Sequence, residues 1–181
     1  MPSSHQRRYE VRLAGTGGQG AILAGFILAD AAIRDGKNAA QTQSYGPEAR
    51  GGASRSEVVI SGGEIDYPKV MAPDITLCMS QQACDRYCSE RRENGLLILD
   101  TDHVSRAPTT RAVRVPLTTL ARETSGKSIT ANVVGLGLLA GLTDIVSREA
   151  LEAAVRARAP EGTEEMNLRA LGAGYSAAED F

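Results

Sequence analysis

The chain has no tryptophan, two phenylalanines and five tyrosines in 181 residues, which leaves little material for stacking on nucleobases. It also has no excess of positive charge. Twenty Lys and Arg stand against 22 Asp and Glu, for a formal net charge of −2, so the electrostatic footprint of a nucleic-acid partner is missing. Long apolar runs are absent too. The longest uncharged stretches, residues 13–29 and 128–143, fall short of the roughly 20 apolar residues of a membrane span. Residues 1–8 are polar and basic without an apolar centre, so no signal peptide is expected. Cysteine is scarce: Cys78, Cys84 and Cys88 form an odd set without a C-x-x-C pair, against a disulfide framework and against an iron–sulfur cluster held by this chain. Cys84 and Cys88 stand one helical turn apart and could touch a metal, but reduced cytoplasmic thiols with no metal are the expectation. His5 and His103 have no Ser, Cys or carboxylate spacing around them that would suit a triad or a metal site, and both are expected at the surface. No nucleophile, base or metal is visible, so no catalytic residue is expected. Any chemistry would come from a cofactor or a partner chain.

What is present is glycine in two places. Leu13-Ala14-Gly15-Thr16-Gly17-Gly18-Gln19-Gly20 follows a short alternating run, residues 9–13, that reads as a strand; it precedes an apolar run, residues 21–29, that reads as a buried helix. In a strand–glycine turn–helix, the unpaired N–H groups and positive dipole end of the helix face whatever sits on the turn, which suits an anion. Gly15, Gly17 and Gly20 satisfy G-x-G-x-x-G, so a dinucleotide-binding domain must be weighed. That fold needs an acidic residue about 20 positions on, at the end of the second strand. Here that strand is residues 38–43, and no Asp or Glu lies between Asp35 and Glu48. The second glycine-rich stretch, residues 43–52, offers Ser44, Tyr45, Glu48, Arg50 and several backbone donors.

The rest of the chain alternates strand and helix. Strands are expected at residues 54–61, 74–79, 96–100 and 112–116. A helix capped by Ser80 is expected to run through Arg92. Past residue 116 the character turns helical. Residues 129–142 are apolar nearly all round and carry Gly135, Gly137 and Gly141, so another backbone or subunit should pack very close. Asn132 in that helix is either satisfied by a neighbouring backbone or offered to a ligand or partner. Ser147 caps residues 148–158, Pro160 stops them, and a last helix spans residues 163–178. With 42% hydrophobic and 23% charged residues, this predicts one globular α/β domain over residues 1–181 with a largely parallel or mixed sheet and a helical C-terminal part.

Gly15-Thr16-Gly17-Gly18-Gln19-Gly20, the block from Gln41 to Ser61, and the pieces Ile65-Asp66-Tyr67-Pro68-Lys69-Val70, Ala131-Asn132-Val133 and Pro160-Glu161-Gly162-Thr163 resemble the gamma subunit of the 2-oxoacid:ferredoxin oxidoreductases, most closely the 2-oxoglutarate branch. The resemblance implies a Rossmann-like three-layer domain and a share in the CoA-dependent oxidative decarboxylation of a 2-oxoacid to an acyl-CoA and CO2. It implies hetero-oligomeric alpha, beta and, where present, delta partners that hold thiamine diphosphate, Mg2+ and [4Fe-4S] clusters, ferredoxin as the complex's acceptor, and coenzyme A as a co-substrate near this chain. The isolated chain would be inactive. Carried over residue by residue, the cofactor-facing set is Gly15, Gly17, Gly18, Gln19 and Gly20 of the first turn, Ser44, Tyr45, Gly46, Glu48, Arg50, Gly51 and Gly52 of the second loop, and Asn132. Lys127, before the Asn132 helix, departs from the pattern. An indolepyruvate or branched-chain oxoacid branch, and a free-standing nucleotide-binding domain, are the alternatives. The always-charged fork of Arg50 suits a phosphate or carboxylate. Replacing Arg50 by Ala is expected to raise the apparent KM for coenzyme A or the oxoacid, and unchanged kinetics in an intact complex would remove Arg50 from the site.

Overall fold

The computed structural model describes residues 7–46 and 52–181. Strands β1 (Arg8–Thr16), β2 (Asn38–Tyr45), β3 (Ala53–Ser61), β4 (Ile75–Cys78), β5 (Leu96–Asp100) and β6 (Val113–Val115) form one sheet in the order β2-β3-β1-β4-β5-β6. Helices α1 (Ala21–Arg34), α2 (Gln81–Tyr87), α3 (Leu117–Ser125), α4 (Ala131–Thr143), α5 (Arg148–Arg158) and α6 (Glu164–Ala178) cover it. β1, β4, β5 and β6 are parallel neighbours. β3 is inserted antiparallel between β1 and β2, so β2 runs in the direction of β1. The sheet is therefore mixed, as expected. Two antiparallel ladders leave the carboxyl ends of β1, β2, β4 and β5 on one edge.

The pleat sorts the strands into two cores of unequal size. Val11, Leu13, Ile75, Leu77 and Ile98 face the larger core, with buried residues of α1, α3, α4, α5 and α6. Ala14, Cys78, Leu97 and Leu99 face a smaller core closed by Ala83, Cys84 and Tyr87 of α2 and by Val104. Arg12 points to this thinner side. It is buried and meets Glu57, its partner across the β1–β3 ladder, at 2.7 Å and Glu90 at 2.8 Å. It also donates to the Tyr87 carbonyl. The charge is thus fully paired, and it fastens the end of α2 to the sheet.

α4 is buried from Ala131 to Ala140 because it lies between the sheet and α6. A Cβ on Gly135 would meet the Leu77 side chain at 2.6 Å, and one on Gly137 would strike Leu171 O and the Gly174 Cα. Gly174 returns the contact, since a Cβ there would strike Val134 O. The close neighbour expected of the α4 glycines is α6 of the same chain.

Three boundaries differ from the sequence expectation. α2 stops at Tyr87 rather than Arg92, because the following residues are drawn to another segment: Arg92 N donates to Pro73 O at 3.1 Å and its side chain pairs with Asp74 at 2.9 Å. β2 extends to Tyr45, paired with Ser54. A 3-10 turn, Ser128–Thr130, precedes α4. Among the described residues, no helix is long and apolar enough to cross a membrane.

Two glycines of α6 separate packing from propensity. Gly172 has nothing within 4 Å of a Cβ position, so Gly172→Ala should stabilise by about 0.5–1 kcal/mol. Gly174→Ala forces backbone against backbone and should cost about 1–3 kcal/mol. Urea unfolding of the two variants should show midpoint shifts of opposite sign.

Candidate functional site

The turn after β1 is built by glycine conformation and by one glutamine. Gly18 and Gly20 have φ of 90° and 76°, a region that side chains with a Cβ disfavour. Gln19 fixes the turn from inside: its Oε1 accepts from Thr16 N at 2.7 Å and from Thr16 Oγ1 at 3.1 Å, and its Nε2 donates to Met79 O at 2.8 Å. The amide thereby ties the end of β1 to the residue after β4. Gly15 leaves room for it, since a Cβ there would lie 2.7 Å from Gln19 Oε1.

Gly20 caps α1 without any side-chain hydrogen bond, and the first helical bond is Ala24 N to Gly20 O at 3.0 Å. The amides of the first turn remain directed beyond the helix end, where an anion is stabilised. Asn132 sets the opposite wall. It is only 3% exposed; its Nδ2 donates to Gly20 O at 3.0 Å and its Oδ1 accepts from Val133 N at 2.9 Å. Of the two roles open to Asn132, the structure shows the first: it binds a neighbouring backbone and joins the starts of α1 and α4.

Between these elements lies a cavity of about 170 Å³. Gly18, Gln19 and Met79 line one side, Ser128, Ile129 and Ala131 another, and His103 and Thr118 close it. It sits at the carboxyl ends of β1 and β4, where ligands of open α/β sheets bind. A larger cavity of about 520 Å³ lies at the opposite, amino-terminal edge, around Tyr9, Ile75 and Leu96. The neighbouring helix start, that of α3, is already filled. Thr118 Oγ1 donates to the buried Asp100 at 2.6 Å, and Thr119 N donates to Asp102 at 2.6 Å. The starts of α1 and α4 carry no acidic residue in their first turns.

The second loop is stitched to the first. Gly17 N donates to Gly52 O at 3.3 Å, Gly46 N to Ala53 O at 2.8 Å, and Ser54 Oγ to Gly15 O at 3.3 Å. Ser44 and Tyr45 end β2 on this edge, Tyr45 being 66% exposed. Glu48, Arg50 and Gly51 lie outside the described residues. The two glycine stretches therefore meet at Gly15, Gly17, Gly46 and Gly52, while the polar atoms of Gln19 and Asn132 are spent on building the turn. Lys127 is exposed, and its carbonyl accepts from Thr130 Oγ1 at 2.9 Å; its backbone shapes the 3-10 turn. Sequence reasoning missed His103 as a lining residue. Its place directly after β5, a parallel strand ending on the site's edge, is the signal that would have found it.

A second convergence lies on the thinner face of the sheet. The sulfurs of Cys78, Cys84 and Cys88 all fall within 4.8 Å of one another, and all three residues are buried and free of disulfides. Hydrogen bonds from the Cys78 and Cys88 thiols favour a Cys84 thiolate and, against burial, pull its pKa down to about 6. The same bond to Cys84, with Cys88 and burial, pushes the Cys78 thiol up.

The geometry defines an α/β domain in which a helix start without a side-chain cap borders a small cavity at the carboxyl edge of the sheet. The pyruvate ferredoxin/flavodoxin oxidoreductase family model matches residues 10–177, and the chain belongs to that family. The 2-oxoglutarate synthase subunit KorC of Methanocaldococcus jannaschii is 52% identical, the match covering 96% of each chain. The ketoisovalerate oxidoreductase subunit VorA of Methanothermobacter thermautotrophicus is 35% identical over 94% of this chain and 36% of its own length. The crystal structure of the gamma subunit of a keto/oxoacid ferredoxin oxidoreductase from Geobacter sulfurreducens superposes with a TM-score of 0.85 at 45% identity, covering 96% of this chain and 99% of that one. The 2-oxoglutarate:ferredoxin oxidoreductase of Magnetococcus marinus shares the fold at a TM-score of 0.85 and 21% identity, with this chain matching 32% of its length.

Asn132 gives a test of how the wall is held. Asn132→Ala removes a buried donor–acceptor pair and should cost about 1–3 kcal/mol. Asn132→Asp places a carboxylate against Gly20 O and should cost more at pH 7. Burial and the facing carbonyl raise the pKa of that carboxyl, so its folded form binds the proton more tightly and the deficit should shrink as pH falls through the raised value. Equal denaturation midpoints for the Asp variant at pH 7 and pH 4.5, relative to wild type, would contradict the assigned hydrogen bond.

Proposed function

We propose that this chain is the gamma-type subunit of a 2-oxoglutarate:ferredoxin oxidoreductase, and that residues 1–181 form its single gamma-type domain. The observation that carries the proposal is the 52% identity to the 2-oxoglutarate synthase subunit KorC over 96% of both chains, against 35% to the ketoisovalerate oxidoreductase subunit. The complex would convert 2-oxoglutarate and coenzyme A to an acyl-CoA and CO2 and pass two electrons to ferredoxin.

The site fits a supporting part in that reaction. A helix start without a side-chain cap suits one phosphate or carboxylate of a larger ligand. A cavity of about 170 Å³ is well below the roughly 300–1,000 Å³ of a pocket that encloses a whole organic ligand. This chain would therefore hold one anionic arm of coenzyme A, or stand against it, and a partner chain would complete the pocket. Gly17, Gly18 and Gly20 would let the ligand approach the backbone, Gln19 and Asn132 hold the turn and helix starts in register, and Ser44, Tyr45, Gly46 and Gly52 would face the partner side; Glu48, Arg50 and Gly51 are carried over from the family resemblance as cofactor-facing residues of the same loop. Among the described residues, the three cysteines are the one cluster of metal-ligand side chains, and Mg2+ takes oxygen ligands. Mg2+, thiamine diphosphate and the [4Fe-4S] clusters would be held by alpha, beta and, where present, delta partners. There the thiamine would supply the electron sink for decarboxylation and the clusters would supply the electron path. The exposed Phe26, Ile33, Tyr67 and Met71 give such partners apolar ground. The complex would be cytoplasmic.

Anaerobic affinity purification of the tagged chain from its native host, followed by viologen reduction with CoA and 2-oxoglutarate, pyruvate, 2-oxoisovalerate or indolepyruvate, tests this. Co-purifying thiamine and iron–sulfur subunits, with 2-oxoglutarate the fastest substrate, is the expected result. A preference for 2-oxoisovalerate or indolepyruvate would move the chain to another branch. A chain recovered alone, without activity, from cells that contain the partners would end the subunit assignment.

A further inference from the structure

Nothing in the site above uses the three cysteines, yet the fold brings them to one point. Cys78 ends β4, Met79 and Ser80 turn the chain, and α2 then lays Cys84 and its C-cap residue Cys88 back over Cys78. We propose that Cys78, Cys84 and Cys88 bind one soft, thiophilic cation in three-coordinate sulfur geometry, copper(I) being the ion they fit.

The distances support a mononuclear site. A metal–sulfur bond of about 2.3 Å puts three sulfurs at the corners of a triangle about 4 Å on a side, and these sulfurs lie within 4.8 Å of one another. Closing the triangle takes less than about 1 Å of movement, within the reach of side-chain rotation. An iron–sulfur cluster spreads its thiolates around several irons, whereas these converge on a single centre. Structural zinc takes four ligands, and among the described residues no histidine, carboxylate or further cysteine joins the three. Thiolates alone, in a buried setting, select copper(I) among the common ions.

The surroundings supply a way in and a counter-charge. A cavity of about 290 Å³ opens against Cys84 beside Asp85, Arg106 and Pro108. Arg91 donates from Nη1 to Cys88 O at 3.0 Å, and its Nε is a buried donor with no acceptor. Binding exchanges protons for the ion: each Cys–SH that joins Cu+ releases its proton to solvent, and the product is a tris-thiolate copper(I) centre of charge −2 with no change of oxidation state. The Arg91 guanidinium offsets part of that charge. Bound copper(I) would lock α2 to β4 on the face of the sheet with the thinnest cover.

The full chain, purified anaerobically, reduced and metal-free, is titrated with copper(I) against a competing bicinchoninate chelator. One equivalent should be retained, with near-ultraviolet thiolate-to-copper absorption, three sulfur neighbours by X-ray absorption and release of protons into weak buffer. Cys84→Ser and Cys78→Ser should each lower the affinity by roughly a hundredfold or more, since even outer-sphere changes cost about 10–100-fold. Circular dichroism shows which variants have folded; for any that has not, the sulfur count of the wild-type chain decides. Loss of copper to the chelator, a sulfur count other than three, zinc retained in preference with a fourth ligand, or folded serine variants of unchanged affinity would each overturn the assignment.

Discussion

The hydrogen bond from Asn132 to the carbonyl of Gly20 is the contact on which the geometry of the carboxyl edge depends. It joins residues 112 positions apart and makes the starts of two helices, α1 and α4, a single structural unit. Gly20 can serve as the meeting point because its left-handed conformation brings its carbonyl into the first turn of α1 while leaving open the volume that a Cβ would take from the Asn132 amide. Gln19 makes the matching connection from β1 to Met79. Two neutral amides thus position the turn, and charge is kept off it.

Charge is placed elsewhere with equal care. Asp100 and Asp102, at the end of β5 and just after it, are engaged by the first residues of α3. The buried guanidinium of Arg12 sits on the thin side of the sheet between Glu57 and Glu90, and the Arg55 guanidinium lies over the same Tyr87 ring that Arg12 approaches. The larger core needs no such device. There α1, with Ala24, Gly25, Ala31 and Ala32, and the glycine-lined pair of α4 and α6 bring backbones close enough for packing alone to hold the layers.

The glycine turn, the buried helix after it, the Ser80 and Ser147 caps and the tight environment of α4 were legible in the sequence because each is a local requirement with a local signature. The serine hydroxyls do accept from Ala83 N and Ala150 N. What was not legible depends on pairing. β2, Asn-Ala-Ala-Gln-Thr-Gln-Ser-Tyr, is half exposed along its length and carries no pattern that names β3 as its partner. Arg12 occupies a position of the alternating β1 pattern that looks solvent-facing, and only the cross-strand Glu57 and the distant Glu90 make its burial possible. His103 looked isolated because its neighbours come from β1, β4 and the turn before α4. The cysteines looked unrelated because the bend between β4 and α2 folds their spacing back on itself. Of the carried-over residues, the two glycine stretches were brought together, and Gln19 and Asn132 proved to be the braces of the turn.

The position of β1 at the centre of the sheet has a consequence for how the chain is made. During synthesis β1 can pair with β3 once residue 61 is out and with β4 once residue 78 is out. Its apolar face, Val11 and Leu13, lies in a core that also draws on α4, and α4 is closed by α6, which ends at Ala178. At ordinary translation rates the interval between the first ladder and that final cover is on the order of ten seconds. Throughout it the ribbon of Val, Leu and Ile has α1 over that side but not yet the closed pair of α4 and α6. Until α6 is made, part of that side of the sheet stays open to neighbouring chains on the polysome.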